Sequence, residues 1–132
     1  MTKFLLIAWL VFNFPFSSMV IYLTNEKLEL IDFAYTISTL YNIDQVTFIK
    51  LLNCESSLNP KAKGDYRIEE DRFMANGIAQ FWKETFDGFS KKYNLSLDYE
   101  SPHDQIVLAG MMVRDGFENH WKNCWKSATK PS

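Results

Sequence analysis

The sequence predicts one mainly α-helical domain with a small β-hairpin or irregular loop. Apolar residues recur at helical spacing on both sides of a central polar segment, residues 61–76. That segment is rich in charge and has no sustained helical period, which is typical of a loop or a short hairpin. The composition, 47% hydrophobic and 23% charged, is that of a chain with a sizeable core and not of a disordered one.

Residues 1–24 are set apart from this domain, which we assign to residues 25–132. Lys3 precedes an apolar run at residues 4–12, and the apolar character continues with interruptions to Leu23. This pattern predicts an export element, and therefore a secreted or extracytoplasmic domain. A cleaved signal peptide and an uncleaved anchor through residues 4–23 both remain open, because no clear cleavage site follows. A buried helix of the domain is the less favoured alternative.

Two helices are expected before the polar segment. The first covers Lys27 to Leu40, whose apolar residues follow a helical period. Asn42 can cap the second helix, with Gln45 three positions later as in a capping box. Asn59-Pro60 ends that second helix, because the residue before a proline avoids helical geometry. Its expected apolar stripe consists of Ile43, Val46, Ile49 and Leu52.

Three further helices are expected after the polar segment. One begins at Gly77 and carries Ile78, Phe81, Phe86 and Phe89 on its inner face, with Asp87-Gly88 as a candidate break. A polar connection at residues 93–100 follows. Ser101-Pro102 starts the next helix as a cap followed by a first-turn proline, and Asp115-Gly116 ends it. Phe117 to Trp125 forms a short helix or turn, and residues 127–132 form a loose tail.

The charge and the scarcity of metal-ligating residues exclude several function classes. Lys3 is the only charged residue of segment 1–24, so the domain keeps 13 basic and 16 acidic residues, a net charge of −3. Nucleic acid is therefore not an expected partner, and no basic run resembles a phosphate-tracking stripe. His103 and His120 are too isolated to indicate a metal site. We expect no metal, no cofactor and a monomer.

Cys54 and Cys124 are the only cysteines, and they lie seventy positions apart. This spacing does not indicate a zinc or redox motif. The export element favours a disulfide between them, which would tether the second helix to the C-terminal segment. Two unpaired buried thiols are the alternative if the chain stays cytosolic.

Glu55 is the candidate catalytic residue. It comes at the end of an apolar, helix-like run and not on a charged face. The negative end of the helix macrodipole and apolar neighbours both disfavour its charged form, so we expect a raised pKa. A general acid at neutral pH needs that shift. A solvated glutamate at a helix end is the alternative.

Two short motifs around Glu55 resemble a known family. Glu55-Ser56, followed after a hairpin segment by Gly77-Ile78-Ala79-Gln80, is similar to the Glu-Ser and Gly-x-x-Gln pattern of soluble lytic transglycosylases and goose-type lysozymes. Gly64-Asp65 resembles the Gly-Asp that opens the hairpin in some members. The segment from Asp104 to Trp125 resembles the closing helices of small relatives, so the resemblance covers roughly residues 28 to 125.

The resemblance implies an α+β lysozyme-like fold and a lytic transglycosylase that cleaves the MurNAc to GlcNAc bond of peptidoglycan glycan strands. Glu55 would act as acid and then as base, while Ser56, Gly77 and Gln80 would line the substrate cleft. Asp65 is either a second cleft carboxylate or a turn-forming residue after glycine. The family also has an Ala-Tyr-Asn type motif, which is absent here; Tyr93 or Tyr99 are the possible substitutes for its tyrosine.

Two alternatives to the transglycosylase remain at this point. A muramidase of lysozyme type would hydrolyse the same bond, and an inactive relative would only bind peptidoglycan. Tryptophans 82, 121 and 125 can stack on sugar rings, but we expect at least two of them to belong to the core.

Overall fold

The computed structural model describes residues 25–131, so the predicted signal or anchor segment at residues 1–24 lies outside the described part of the chain. Within it, five α-helices and a three-stranded antiparallel sheet confirm the mainly α class with a small hairpin. None of the described helices has the length and apolar character needed to cross a membrane. The elements are α1 (residues 25–40), α2 (Gln45–Ser56), β1 (Lys63–Arg67), β2 (Arg72–Asn76), β3 (Phe81–Trp82), α3 (Lys83–Lys92), α4 (Pro102–Arg114) and α5 (Lys122–Ala128), with 3₁₀ turns at Ile68–Glu70 and Glu118–Trp121.

Asn42 ends α1 instead of capping α2. Its φ of 56° is left-handed, and its N–H donates to the carbonyl of Thr39 while the N–H of Ile43 donates to that of Ser38. These two bonds are the Schellman arrangement, in which asparagine can replace glycine. The predicted capping box is therefore wrong: α2 begins at Gln45, after Asp44, without a side-chain cap.

The buried face of α2 differs from the predicted stripe. Phe48, Leu51 and Leu52 are buried, whereas Val46 is 61% exposed. The helix ends at Ser56, before Asn59-Pro60, because the next two residues are left-handed, with φ 53° at Ser57 and 58° at Leu58. Each such residue costs about 1–3 kcal/mol, and the buried Leu58 side chain helps to offset that cost.

Residues 63–76 form the predicted hairpin, but the Gly-Asp pair is not its turn. Gly64 and Asp65 lie within β1, where Gly64 pairs with Ala75 of β2. The chain reverses instead at Ile68 to Asp71, where Asp71 is left-handed with φ 48°. A third strand, β3, pairs with β2 on the side opposite β1.

The helix predicted from Gly77 begins only at Lys83. Gly77 and Gln80 have φ of 84° and 51°, which an α-helix does not allow, so residues 77–80 form a turn before β3. The break expected at Asp87-Gly88 does not occur either. Both residues lie inside α3, where Lys83 and Asp87 form an ion pair one turn apart at 2.5 Å.

The predicted bounds of α4 are confirmed. The Ser101 side chain accepts a hydrogen bond from the Asp104 N–H at 3.2 Å, and Gly116 follows the helix with φ 85°. The C-terminal segment is more ordered than expected, since α5 includes Ser127 and Ala128.

The core lies where α1, α2 and α4 meet the turn before β3. Its buried apolar side chains include Leu30, Ala34, Phe48, Leu51, Leu52, Ile78, Phe81, Phe86, Ile106, Leu108, Ala109 and Met112. The predicted disulfide is confirmed: Cys54 and Cys124 are bonded, with their Cα atoms 5.6 Å apart. It joins α2 to α5 one residue before Glu55.

Candidate functional site

Glu55 lies in the last turn of α2 and is only partly exposed. Burial raises the pKa of its carboxyl group from 4.5 to about 7, the direction predicted from the sequence. No charged or hydrogen-bonding group in residues 25–131 contributes to that shift, so desolvation acts alone. A carboxyl group of this kind is about half protonated near neutral pH, as a general acid must be.

The neighbouring Ser56 connects α2 to the turn at residues 77–80. Ser56 is 8% exposed. Its hydroxyl group donates to the carbonyl oxygen of Ile78 at 2.7 Å, and the carbonyl oxygen of Leu52, one helical turn earlier, lies 3.2 Å from the same hydroxyl oxygen. The Glu-Ser and Gly-x-x-Gln motifs, 22 residues apart in sequence, are therefore in direct contact. A bond from Ser56 to the substrate stays a prediction.

Side chains from three helical segments form hydrogen bonds to the backbone of the turn Gly77–Gln80. Gln105 of α4 accepts from the Ala79 N–H at 3.1 Å, and the indole of Trp121 donates to the Ala79 carbonyl at 2.8 Å. Ser56 of α2 holds the Ile78 carbonyl. Since hydrogen bonds from separate helices converge on consecutive residues, the backbone of this turn has little freedom.

The Gln80 side chain folds back over the start of the hairpin. Its Nε2 atom lies 3.0 Å from the Ala62 carbonyl oxygen and 2.9 Å from that of Gly77. Both neighbours are carbonyl oxygens, which only accept hydrogen bonds. The amide NH₂ must therefore face them, and the amide oxygen, Oε1, points in another direction. Oε1 lies against Gly64, where a Cβ would come closer than 3.0 Å to it.

Gly77 packs against protein and not against open space. A Cβ at this position would lie closer than 3.0 Å to the Gln105 amide group, and its φ of 84° is left-handed. The structure therefore explains this glycine by internal packing. Its expected approach to a substrate stays a prediction.

Asp65 lies on the exposed edge strand β1. Its carboxylate is 3.3 Å from the Arg67 Nε, and both side chains are more than a third exposed. The Arg67 guanidinium in turn lies 5.0 Å from the ring centroid of Trp82. Trp82 is thus partly covered by a cation, whereas Trp121 is buried and Trp125 packs partly against the core. Of the three tryptophans, only Trp121 is a buried core residue, so the expectation of at least two is met in part.

Of the two tyrosines considered as substitutes, only Tyr99 reaches the turn region. Its hydroxyl donates to the Phe81 carbonyl at 2.6 Å. Tyr93 directly follows α3, and its hydroxyl group reaches the end of α4, where it donates to Asp115 at 2.8 Å. Burial is the first cause that raises the pKa of Tyr93 to about 12.

Two clefts border this region on the side of α1. One, of about 440 Å³, is lined by Gly77, Tyr99 and Gln105 among others, and the second, of about 510 Å³, by residues 56–60 and the start of α1. Glu55 lines neither of them. The described residues include no cluster of three or more histidine, cysteine, aspartate or glutamate side chains that could hold a metal ion.

Gln105 is the residue that the sequence reasoning missed. Its amide is 2% exposed and makes hydrogen bonds to Ala79, Asn76 and Tyr99. The signal was present, because Gln105, Ala109 and Met112 share the i, i+4, i+7 spacing of one helix face. A glutamine on an otherwise apolar face indicates a buried polar group that needs partners.

Glu55, a protonatable carboxyl group, thus directly precedes Ser56, the residue that binds the Gly77–Gln80 turn. A carboxyl group with a pKa near 7 can donate a proton and later accept one. Comparisons with protein-family models, with curated proteins and with solved structures found no match to this chain.

Proposed function

We propose that this protein is a peptidoglycan-cleaving lytic transglycosylase in which Glu55 is the general acid and base. The observation that carries the proposal is the half-buried Glu55 carboxyl group, with a pKa of about 7, one residue before Ser56, which binds the Gly77–Gln80 turn. Perturbed carboxyl groups of this kind concentrate at functional sites. The two motifs that meet here are those that resemble the transglycosylase family.

The chemistry needs one residue in two protonation states. Protonated Glu55 gives its proton to the bridging oxygen of the MurNAc to GlcNAc bond, and that C–O bond breaks. The substrate's N-acetyl group stabilises the electron-poor carbon. The Glu55 carboxylate then takes the proton of a hydroxyl group on the same muramoyl residue, whose oxygen bonds to that carbon. Glu55 is protonated again, no water is consumed, and the product carries an anhydro end.

A pKa near the working pH suits both halves of this cycle. A carboxyl group with a pKa of 4.5 would rarely be protonated at pH 7, and one with a much higher pKa would be a poor acid. Desolvation without a neighbouring cation yields the intermediate value of about 7. A transglycosylase of this kind needs only this one carboxyl group, whereas an inverting hydrolase needs a second one to hold the attacking water.

The test is Glu55→Gln in a wall-cleavage assay. The variant should fold and lose wall-lytic activity by about 10²–10⁴-fold, the usual worth of positioned acid and base catalysis. Glu69→Gln, at an exposed glutamate in the hairpin turn, is the matched control and should keep the parental rate. Retention of more than about a tenth of the rate by Glu55→Gln would refute the assignment.

Mass spectrometry of the muropeptides separates the alternatives. Anhydro ends identify a transglycosylase, and reducing ends identify a muramidase of lysozyme type. Binding to peptidoglycan without any product would identify an inactive relative. Tyr93 and Tyr99 are the possible substitutes for the tyrosine of the family motif, and the hydroxyl groups of both bond to protein groups. For this reason the inactive relative is kept as an alternative.

A further inference from the structure

The Gln80 amide group is fixed by its surroundings to an unusual degree. Gln80 itself has a left-handed φ of 51°, and its NH₂ is shared between the carbonyl oxygens of Ala62 and Gly77. These bonds consume its donors and leave Oε1 as the group that can bind something else. An acceptor oxygen held in this way selects a hydrogen-bond donor.

Gly64 makes this geometry possible. The Gln80 Oε1 occupies the space directly over the Gly64 Cα, where any side chain would come closer than 3.0 Å. The Gly64 φ is not in the left-handed region, so its backbone does not require glycine. Glycine is needed at position 64 because a side chain there would occupy the space of the Gln80 amide group. The backbone conformation of β1 does not require it.

Gln105 fixes the same turn from the other side. Its Oε1 holds the Ala79 N–H, one residue before Gln80, and its Nε2 is bound to the carbonyl oxygens of Asn76 and Tyr99. Its amide fills the space that a Cβ on Gly77 would need. Rotation of the turn would leave several buried polar groups unpaired, at about 1–3 kcal/mol each.

We propose that Gly64 and Gln105 are positioning residues that fix the Gln80 Oε1 as the acceptor for a donor on the glycan, its acetamido N–H or a hydroxyl group. The inference rests on the proposed function for the identity of the ligand. Gly64 contacts the Gln80 amide directly, and Gln105 binds the residue before Gln80. They act through Gln80, which binds the sugar, and the preset amide removes the entropy cost of ordering it on binding.

Gly64→Ala is the decisive variant. The added methyl group meets side-chain atoms and no backbone atom, so the domain should still fold, with a melting temperature lower by about 4–8 °C for about 1 kcal/mol of lost hydrogen bonding. The Gln80 amide must move, so kcat/KM on peptidoglycan should fall about tenfold, the worth of one hydrogen bond. Gly88→Ala is the matched control, since a Cβ there meets nothing within 4 Å: it should leave kcat/KM unchanged and raise the melting temperature slightly, because alanine favours the interior of α3 over glycine by about 0.5–1 kcal/mol.

A double-mutant cycle separates positioning from general damage. If Gly64 acts through the Gln80 amide, adding Gly64→Ala to Gln80→Ala should cost no further activity. Equal losses in both backgrounds would overturn the proposal, as would parental kcat/KM in Gly64→Ala. Gln105→Met keeps the volume but removes the three hydrogen bonds, and its loss should also be non-additive with Gln80→Ala. If Gln105→Met does not fold, the Gly64 cycle decides.

The cycle is repeated as an affinity measurement, with solubilised uncrosslinked peptidoglycan strands and the domain carrying Glu55→Gln. An approximately tenfold weaker Kd from Gly64→Ala, absent in the Gln80→Ala background, supports the inference even if the parent cleaves nothing. Unchanged affinity together with unchanged kcat/KM overturns it. Parental cleavage that depends on Glu55 but not on Gly64 refutes the positioning role alone, and binding without cleavage refutes the catalytic proposal alone.

Discussion

Replacing Glu55 by glutamine should stabilise the folded domain at alkaline pH. The folded structure raises the pKa of this carboxyl group from 4.5 to about 7 by burial. The native state therefore binds more protons than the unfolded chain between those two pH values. Since stability falls with pH wherever the native state binds more protons, the parent should lose stability as the pH rises from about 4.5 through 7. Glutamine cannot ionise and should not show this loss.

The magnitude follows from the same pKa values. The difference between 4.5 and about 7 corresponds to about 3 kcal/mol at 1.36 kcal/mol per pKa unit. Glu55 is partly exposed, and solvent screens part of that cost, so we expect about 1–2 kcal/mol. This is a measurable fraction of the stability of a small domain.

Urea unfolding of residues 25–132 at pH 4.5 and at pH 8 measures the effect. Glu55→Gln should exceed the parent by about 1–2 kcal/mol at pH 8 and should match it within error at pH 4.5. Asp65→Asn is the control: it removes an exposed carboxylate, so the parental loss between the two pH values should persist. An equal pH dependence in the parent and in Glu55→Gln would refute the claim that burial perturbs Glu55.

Two further predictions concern the cysteines and the second carboxylate. Thiol titration of the unreduced, denatured domain should find no free sulfhydryl group, and two reactive thiols would contradict the bond between Cys54 and Cys124. Replacing both cysteines by serine should lower the free energy of unfolding by about 2–4 kcal/mol. For a transglycosylase, Asp65→Asn should leave most of the wall-lytic rate, because no second carboxylate has to hold a water, while Glu55→Gln remains severe. Comparable losses in both variants, with reducing-end products from the parent, would instead identify an inverting muramidase.

Local signals predicted several elements well. The Ser101 cap, the proline after it and the Asp115-Gly116 exit mark α4 on their own, because capping and backbone preferences act within one turn. The raised pKa of Glu55 was also predictable, since an apolar run leads directly to it. The polar segment 61–76 pointed to a hairpin or loop for the same local reason.

Failures of the sequence reasoning occur where two segments meet. Asn42 looks like the start of a helix, but its left-handed conformation completes the end of α1. Gly77 to Gln80 continues an apolar period, yet hydrogen bonds from α2, α4 and Trp121 hold it as a turn. Periodicity cannot show the partners of this turn, which lie more than 20 residues away in the sequence.

The sequence by itself predicted the mainly helical class, the raised pKa of Glu55 and, through the predicted export element, a bond between the only two cysteines, because each prediction follows from nearby residue types or from the cysteine count. Only the tertiary structure decided that Gly64 makes room for the Gln80 amide and that Gln105 holds the turn beside it. The physical reason is that hydrogen bonds and close packing depend on which distant groups fold into reach. The sequence pattern alone does not give the distance in space between two such groups.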